Sequence, residues 1–443
     1  LYSYIMQKGE TLNLEIEKLI FEGVALSHAP DGRAVIIGGG LPGEKVEALI
    51  TKVKKDFLRA KLLEVLQPSN FRVQPRCMHF GECGGCSLQY ASYDLQLEAK
   101  RGFLEESLSR IGGLEFPEIQ ECVPSPRLWG YRNKMEFTFK EEGEISLGLH
   151  PRGDFRRVIN LKECPISSFS IEEFFPSVRN WAFDFGISVW NLREHKGALR
   201  NLVIRRSLKG DLLVNLVLGE EISPQAKEAF ASIFGDSTVV FTINRSWGDS
   251  HHVDSEEIIK GPGFILEEIG GLRFRISPSS FFQTNSLQAQ ALYQKIRDFA
   301  REVSPKKVLD LYCGTGTIAC FLKEVSREVW GIEKIPQAIS DARENALLNG
   351  LENLKFMEGD ASEINDLGQF DLVVVDPPRS GLHPKLLQVL NCSPPPFLVY
   401  VSCNPATLAR DLQQLFPFQI IEVIPFDFFP HTFHVETCVF LKS

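Results

Sequence analysis

Val308-Leu309-Asp310-Leu311-Tyr312-Cys313-Gly314-Thr315-Gly316-Thr317 decides the fold of the C-terminal part of this chain. Its first five residues read as a buried strand. The two glycines that follow let backbone N–H groups approach a ligand, and the helix expected to open at Thr317 favours an anion at its N-terminus. A lone Gly-x-Gly is weak by itself; its surroundings strengthen it. Glu333 is expected to end the next strand, 17 residues past Gly316, where a carboxylate suits the two hydroxyls of a ribose. Asp360 follows a third strand, placed to meet an adenine amino group. The third glycine of a dinucleotide fingerprint is absent, so the pattern suits S-adenosylmethionine better than NAD.

Downstream the unit repeats. Strands are expected at Glu328–Ile332, Leu354–Met357, Phe370–Val375 and Phe397–Val401, with helices at Pro336–Asn349, Pro384–Leu390 and Ala406–Leu415. Strand alternating with helix means a parallel sheet covered on both faces. Two last strands, Gln419–Pro425 and Val435–Leu441, have no helix between them and predict an antiparallel closing pair. Asp376-Pro377-Pro378-Arg379 ends the fourth strand, where two prolines fix the backbone and the aspartate can point into the cleft. Cys403, in Ser402-Cys403-Asn404-Pro405, ends the fifth; Glu436, in His434-Val435-Glu436-Thr437, begins the last. A free cysteine is most often a small buried hydrophobe. A thiol and a carboxylate at the ligand-bearing edge of one sheet are instead suited to act on one substrate as nucleophile and base.

Upstream, short β-prone runs between Gly9 and Leu66 are punctuated by Ala29-Pro30-Asp31-Gly32 and by Gly38-Gly39-Gly40-Leu41-Pro42-Gly43. They predict a small barrel, a common nucleic-acid-binding form. Next comes Cys77-Met78-His79-Phe80-Gly81-Glu82-Cys83-Gly84-Gly85-Cys86. Three cysteines within ten residues point to a soft-metal site. Gly84 and Gly85 permit the tight turn between Cys83 and Cys86, and Cys164 is the natural fourth ligand. Four thiolates fit zinc or a 4Fe-4S cluster. Tyr93 to Arg110 reads as a helix, and Trp129 to about Gly261 as a second β-rich region.

A chain of 443 residues exceeds one ordinary core, and two or three domains are expected. No apolar run is long enough for a membrane helix, and the N-terminus lacks a signal-peptide pattern, so a cytoplasmic protein with no membrane partner is expected. The net charge of -9 argues against general attraction to nucleic acid. Local clusters argue the other way: seven Lys/Arg lie between Thr51 and Arg76, and six between Arg193 and Lys209.

With these motifs in view, the chain resembles the RNA uracil-C5 methyltransferase family, and within it the iron-sulfur-containing 23S ribosomal RNA branch. Glu22-Gly23-Val24-Ala25 with Leu41-Pro42-Gly43-Glu44 looks like a TRAM domain. Phe281-Phe282-Gln283-Thr284-Asn285, Asp310–Gly316, Asp376–Arg379, Ser402–Pro405 and His434–Glu436 match the remaining motifs. Thr317 stands where the family often has asparagine. The resemblance implies a multidomain α/β plus β architecture. A TRAM (OB-like) β-barrel for RNA would span 7–66 and a central β-rich iron-sulfur domain 67–262. A Rossmann-like methyltransferase domain would span 263–443, with the helix near 87–112 packing on it. It also implies Cys403 as nucleophile and Glu436 as proton acceptor. Gln283, Tyr312, Thr317, Glu333, Asp360 and Asp376 would hold S-adenosylmethionine, and Cys77, Cys83, Cys86 and Cys164 a 4Fe-4S cluster rather than zinc. The implied substrate is a loop or single-stranded uridine of 23S ribosomal RNA, with transfer RNA as the alternative, and the implied state a monomer. An amino-group methyltransferase would carry an aromatic residue where Arg379 stands and would need no cysteine. The aromatic run Phe426–Phe433 beside the site reads either as a base-stacking platform or as a hydrophobic cover over the sheet.

Overall fold

The computed structural model describes residues 6–248 and 252–443. The N-terminal sheet contains β1 (Thr11–Glu15), β2 (Lys18–Ile20), β3 (Val24–His28), β4 (Ala34–Gly38), β5 (Lys45–Val53) and β6 (Phe57–Gln67), in the order β1-β5-β6-β4-β3-β2. Period-two alternation drives it: Val46, Ala48 and Ile50 of β5 turn inward while the residues between them are more exposed. The sheet curls until β3 meets β1, where the Ser27 hydroxyl donates to the Glu15 carbonyl at 2.7 Å. The sequence pattern did not single out β2 and β3. Their turn holds Glu22 at φ 73° and Gly23 at φ 67°, and a glutamate in the left-handed region is not a recognisable turn signal.

Helix α1 (Tyr93–Ser107) starts where the Ser92 side chain accepts the Leu95 N–H at 3.4 Å. It runs into a wider turn, Leu108–Gly112, and stops at Gly113, φ 57°. Leu95 and Phe103 belong to the barrel core. Leu104 and Leu108 belong to the core of the C-terminal sheet, with Leu408 and Ala409. One helix thereby serves two cores. Between its two faces Lys100 is wholly buried, ion-paired with Asp427 and donating to the Phe429 carbonyl at 3.0 Å.

The central sheet has seven strands: β7 (Lys134–Glu142), β8 (Glu144–Leu149), β9 (Ile159–Asn160), β10 (Leu199–Arg206), β11 (Leu212–Leu218), β12 (Thr238–Ile243) and β13 (Ser255–Lys260). They are arranged β13-β12-β11-β10-β7-β8-β9. Helices α2 (Phe175–Asp184) and α3 (Pro224–Ser232) pack on it through Val178, Trp181, Ala226 and Phe230. Part of the basic character read from sequence is used inside the fold. Arg205, 3 % exposed, donates to the carbonyls of Ser280 and Phe282 at 3.4 Å each. Arg200 donates to the carbonyls of Asn244 and Ser246, and Arg72 grips the carboxylate of Glu44.

A hairpin of β14 (Ile265–Ile269) and β15 (Leu272–Ile276) leads to α4 (Ser286–Val303). The last sheet follows: β16 (Lys307–Leu311), α5 (Thr317–Leu322), β17 (Glu328–Glu333), α6 (Pro336–Leu348), β18 (Leu354–Glu358), β19 (Leu372–Val375), α7 (Pro384–Cys392), β20 (Phe397–Ser402), α8 (Pro405–Leu412), β21 (Gln419–Phe426) and β22 (Glu436–Lys442). Its order is β18-β17-β16-β19-β20-β22-β21. The first five strands in that order are parallel; β22 runs antiparallel between β20 and β21. No helix among the described residues is long and apolar enough to cross a membrane.

Candidate active site

The parallel strands deliver their carboxyl ends to one edge, and strand order reverses between β16 and β19, the position where such sheets bind ligands. Asp360, Tyr312, Asp376 and Cys403 follow β18, β16, β19 and β20, and Glu333 ends β17, so in the order Asp360, Glu333, Tyr312, Asp376, Cys403 they line that edge. Tyr312 is held at φ 62°, a conformation costly for an aromatic residue. Gly316 has φ 78°, and a Cβ there would lie 2.7 Å from the Phe356 ring, so only glycine fits. The Gly314 N–H donates to Glu333 at 3.2 Å, while the other Glu333 oxygen accepts the N–H groups of Lys334 and Ile335 at 2.8 and 3.0 Å. Asp360 accepts from the Ser362 N–H and from Lys334, each at 2.9 Å, and these bonds hold its carboxyl below the usual range. The Thr317 hydroxyl lies 3.4 Å from that of Tyr293. Gln283 is half-buried ahead of α4, with its carbonyl accepting from Asn133 at 3.0 Å.

Asp310 adds an acid that the sequence reading left without a role. It is fully buried; one oxygen accepts the Ala319 N–H at 3.0 Å and the other has no hydrogen-bond partner among the described residues. Burial, then Asp376 and Glu333, push its carboxyl well up. An edge whose acids raise one another is suited to a cationic ligand, and a sulfonium with an attached ammonium group is such a ligand.

The reacting end is built by β20 and β22. Ser402 pairs with Thr437 across the antiparallel ladder, which brings Cys403 beside Glu436. Burial pushes the Cys403 thiol up to about 11; Glu436 and Asp376 add to this, and Arg379 opposes it. Burial pushes the carboxyls of both Glu436 and Asp376 up, and the charge of Asp376 raises Glu436 further while Arg379 opposes it. Arg379 lies 3.1 Å from His434 Nδ1, a bond that needs that nitrogen bare. Burial, then Arg379 and the cations of Lys100, Arg132 and Arg152, hold His434 down to about 4. The Arg379 carbonyl accepts from Asn404 and Thr407 at 3.2 Å each, and Asn404 caps α8 by accepting the Ala406 N–H at 3.1 Å. The loop after β19 is thereby tied to the one that carries Cys403. Sequence reading placed Arg379 in a motif and missed its partnership with His434, which joins residues 55 apart.

The aromatic run proves to be mainly a cover. Phe426 and Phe428 are fully buried, and Phe433 packs edge-on against Phe21 of the barrel at 5.4 Å. The His431 carbonyl accepts the N–H groups of Ser87 and Leu88 at 2.9 Å each. Of the five aromatic rings from Phe426 to Phe433, only Phe429 and Phe433 keep partial exposure, beside His434.

Cys77, Cys83, Cys86 and Cys164 line one pocket. Two bonds draw their distant segments together: Met78 N–H to Glu163 at 2.7 Å and Lys162 N–H to His79 Nε2 at 2.9 Å. A Cβ on Gly84 would lie 2.8 Å from the His150 carbonyl oxygen, so the turn also needs that glycine for close approach. Burial pushes all four thiols up, Cys86 and Cys164 to about 12. Among the described residues no three His, Cys, Asp or Glu are arranged to hold a single metal ion. The four thiols line that one pocket, a soft donor set of the kind that holds zinc or an iron-sulfur cluster.

Comparison with known proteins joins these observations. Residues 92–443 match the tRNA (uracil-5-)-methyltransferase family and residues 6–63 the TRAM domain. An uncharacterized RNA methyltransferase of Caldanaerobacter subterraneus is 39% identical over 451 residues, covering 99% of this chain and 100% of the relative. One of Clostridium tetani is 39% identical over 453 residues, covering 99% and 98%. Among solved structures, the tRNA (uracil-54, C5)-methyltransferase of Pyrococcus abyssi, in complex with S-adenosyl-L-homocysteine, is 31% identical with TM-score 0.79. That likeness covers 97% of this chain and 100% of the other.

Proposed function

The chain belongs to the RNA uracil-5-methyltransferase family, whose members use S-adenosylmethionine, and from that premise we propose that it makes 5-methyluridine through a covalent adduct on Cys403. The observation that carries this reading is the meeting of Cys403, Glu436, Asp376 and Arg379 at the ligand-binding edge of the sheet. Uracil C5 is a poor nucleophile. The Cys403 sulfur adds to C6, and the electron pair moves to give an enolate with carbanion character at C5. Bound S-adenosylmethionine supplies the electrophilic methyl group that C5 takes. Glu436 then removes the C5 proton, and β-elimination of the Cys403 sulfur restores the ring. Arg379 favours the thiolate over the thiol, against the acids around it. Burial raises both carboxyls of the Asp376–Glu436 pair, which strengthens Glu436 as a proton acceptor once it is ionised. Gln283, Tyr312, Thr317, Glu333, Asp360 and Asp376 would bind the methyl donor, with the adenosine end toward Glu333 and Asp360 and the methyl end toward Asp376 and Cys403.

Cys77, Cys83, Cys86 and Cys164 would hold a 4Fe-4S cluster that joins the barrel side to the central sheet; the methyl transfer moves no electrons to or from it. The proposed setting is the cytoplasm, with a monomer acting on RNA. Uridine in a loop of 23S ribosomal RNA is the proposed target, on the strength of the four-cysteine set. A transfer RNA target is the second reading, favoured by likeness to the Pyrococcus abyssi enzyme. Incubating the enzyme and labelled S-adenosylmethionine with RNA from cells lacking the gene separates them. Label is expected as 5-methyluridine in 23S RNA; label confined to transfer RNA establishes the second reading, and no 5-methyluridine at all refutes both.

A further inference from the structure

A cavity of about 650 Å³ opens between the barrel and the cysteine segment. Its volume lies in the range of pockets that enclose a small organic group. Phe80 and Tyr90 form its aromatic wall, with ring centres 5.8 Å apart and tilted by 52°. Arg72 lies over the Tyr90 ring at 5.0 Å and is neutralised by Glu44. The Tyr90 hydroxyl is buried and has no hydrogen-bond partner among the described residues. Gln74 and the backbone of Gly38 complete the opening.

Arg152 connects this cavity to the reaction centre. It lines the cavity and lies over the Phe433 ring at 5.5 Å. Phe433 lies 4.2 Å from His434, and His434 lies 3.1 Å from Arg379, the cation beside Cys403. Its acidic neighbour Glu22 is 4.0 Å away and largely exposed, so Arg152 keeps most of its charge for a ligand.

We propose that this cavity receives a second, unstacked nucleotide of the substrate RNA, a few positions from the target uridine. The inference rests on the RNA methylation reading above. An aromatic wall with guanidinium groups binds the face of a base in single-stranded RNA. The orphan Tyr90 hydroxyl gains a partner in a base carbonyl or phosphate oxygen. Gln74 offers both a donor and an acceptor to a base edge. Arg152 meets the phosphate that runs from the cavity toward Cys403. A single uridine says little about its context; a second pocketed base lets the enzyme choose one uridine among many.

Gly38 provides the test. Its φ is outside the left-handed region, a Cβ there meets nothing within 4 Å, and the residue lines the cavity, so Gly38→Phe brings an aromatic ring to the cavity's wall. The ratio of KM for full-length substrate RNA to KM for a uridine oligonucleotide too short to reach the cavity is measured in wild type, Gly38→Phe and Arg152→Ala. Both variants are expected to raise that ratio about tenfold, the loss of one stacked base. Wild-type protein is also irradiated with RNA carrying 4-thiouridine at each position near the target. Crosslinks within residues 72–90 are expected from one such position. Unchanged ratios, or crosslinks only outside this segment, overturn the cavity while wild-type methylation upholds the parent reading; a wild type that methylates no uracil sinks both.

Discussion

The four-cysteine pocket and the Cys403 edge are both thiol sites, and their surroundings differ in kind. Burial pushes thiols up at both, Cys86 and Cys164 to about 12 and Cys403 to about 11, so burial does not separate them. Partners do. Cys83, Cys86 and Cys164 each have other cysteines of the set among the groups that act on them, at the meeting of two loops joined by main-chain N–H groups that donate to the Glu163 and His79 side chains. Cys403 faces an acid pair and an arginine at the end of a strand. Sulfurs gathered toward each other suit a shared positive centre. A sulfur placed between a cation and a base suits a bond that forms and breaks.

Cys403→Ala should break this contrast most sharply. Methylation is expected to fall by about 10⁴-fold or more, as when an enzyme loses its nucleophile. The covalent complex with 5-fluorouridine RNA should vanish, while iron and sulfide content stays at the wild-type level. Methylation that survives the substitution would move the chemistry to another residue. Glu436→Gln comes next, with turnover lowered roughly 10²- to 10⁴-fold. Here the adduct should accumulate on ordinary uridine RNA and be seen as a slow band on a denaturing gel. A variant that turns over slowly without that band would remove Glu436 from proton abstraction.

Cys86→Ser should act at the other site. Bound iron should drop and RNA KM rise about tenfold with kcat kept within about threefold, the signature of lost binding rather than lost chemistry. A kcat collapse equal to that of Cys403→Ala would erase the distinction between the two thiol sites. The mildest test is pH. Because burial pushes the Cys403 thiol up to about 11 and only the thiolate reacts, its alkylation by iodoacetamide should rise about tenfold per unit from about pH 7 to pH 10. Arg379→Ala should slow alkylation at every pH in that range, since removing the cation pushes the thiol further up. A pH-independent rate would mean the thiol is already ionised in the free enzyme.

The methyltransferase sheet was readable because each strand is a continuous apolar run that ends on a glycine, an acid or a cysteine. Val308–Leu311 and Phe397–Ser402 announce both their burial and their chemistry. The barrel was half readable: β5 alternates cleanly, whereas β2 is three residues long and its turn depends on Glu22 in an unfavourable conformation. Helices α2 and α3 escaped notice inside a region read only for strands. The partners that tune the site were hidden for another reason. Arg379 with His434, Lys162 with His79 and Lys100 with Asp427 are separated by 55, 83 and 327 residues, and no local pattern encodes a contact that the whole fold creates. The arginines around residue 200 misled in the opposite way, since Arg200 and Arg205 are spent on buried carbonyls.

The strap from Asp427 to Glu436 has a consequence for how such an enzyme changes its target. Its first residue is a buried anion neutralised by Lys100 of the bridging helix, its middle is bonded to Ser87 and Leu88, and its last residue is the proposed base. Grafting the C-terminal sheet onto a foreign RNA-binding front end would leave Asp427 buried without its cation, a defect of about 3–5 kcal/mol. It would also release the segment that aims His434 and Glu436. An exchange boundary that separates Lys100 from Asp427 therefore carries a stability cost that a surface substitution does not.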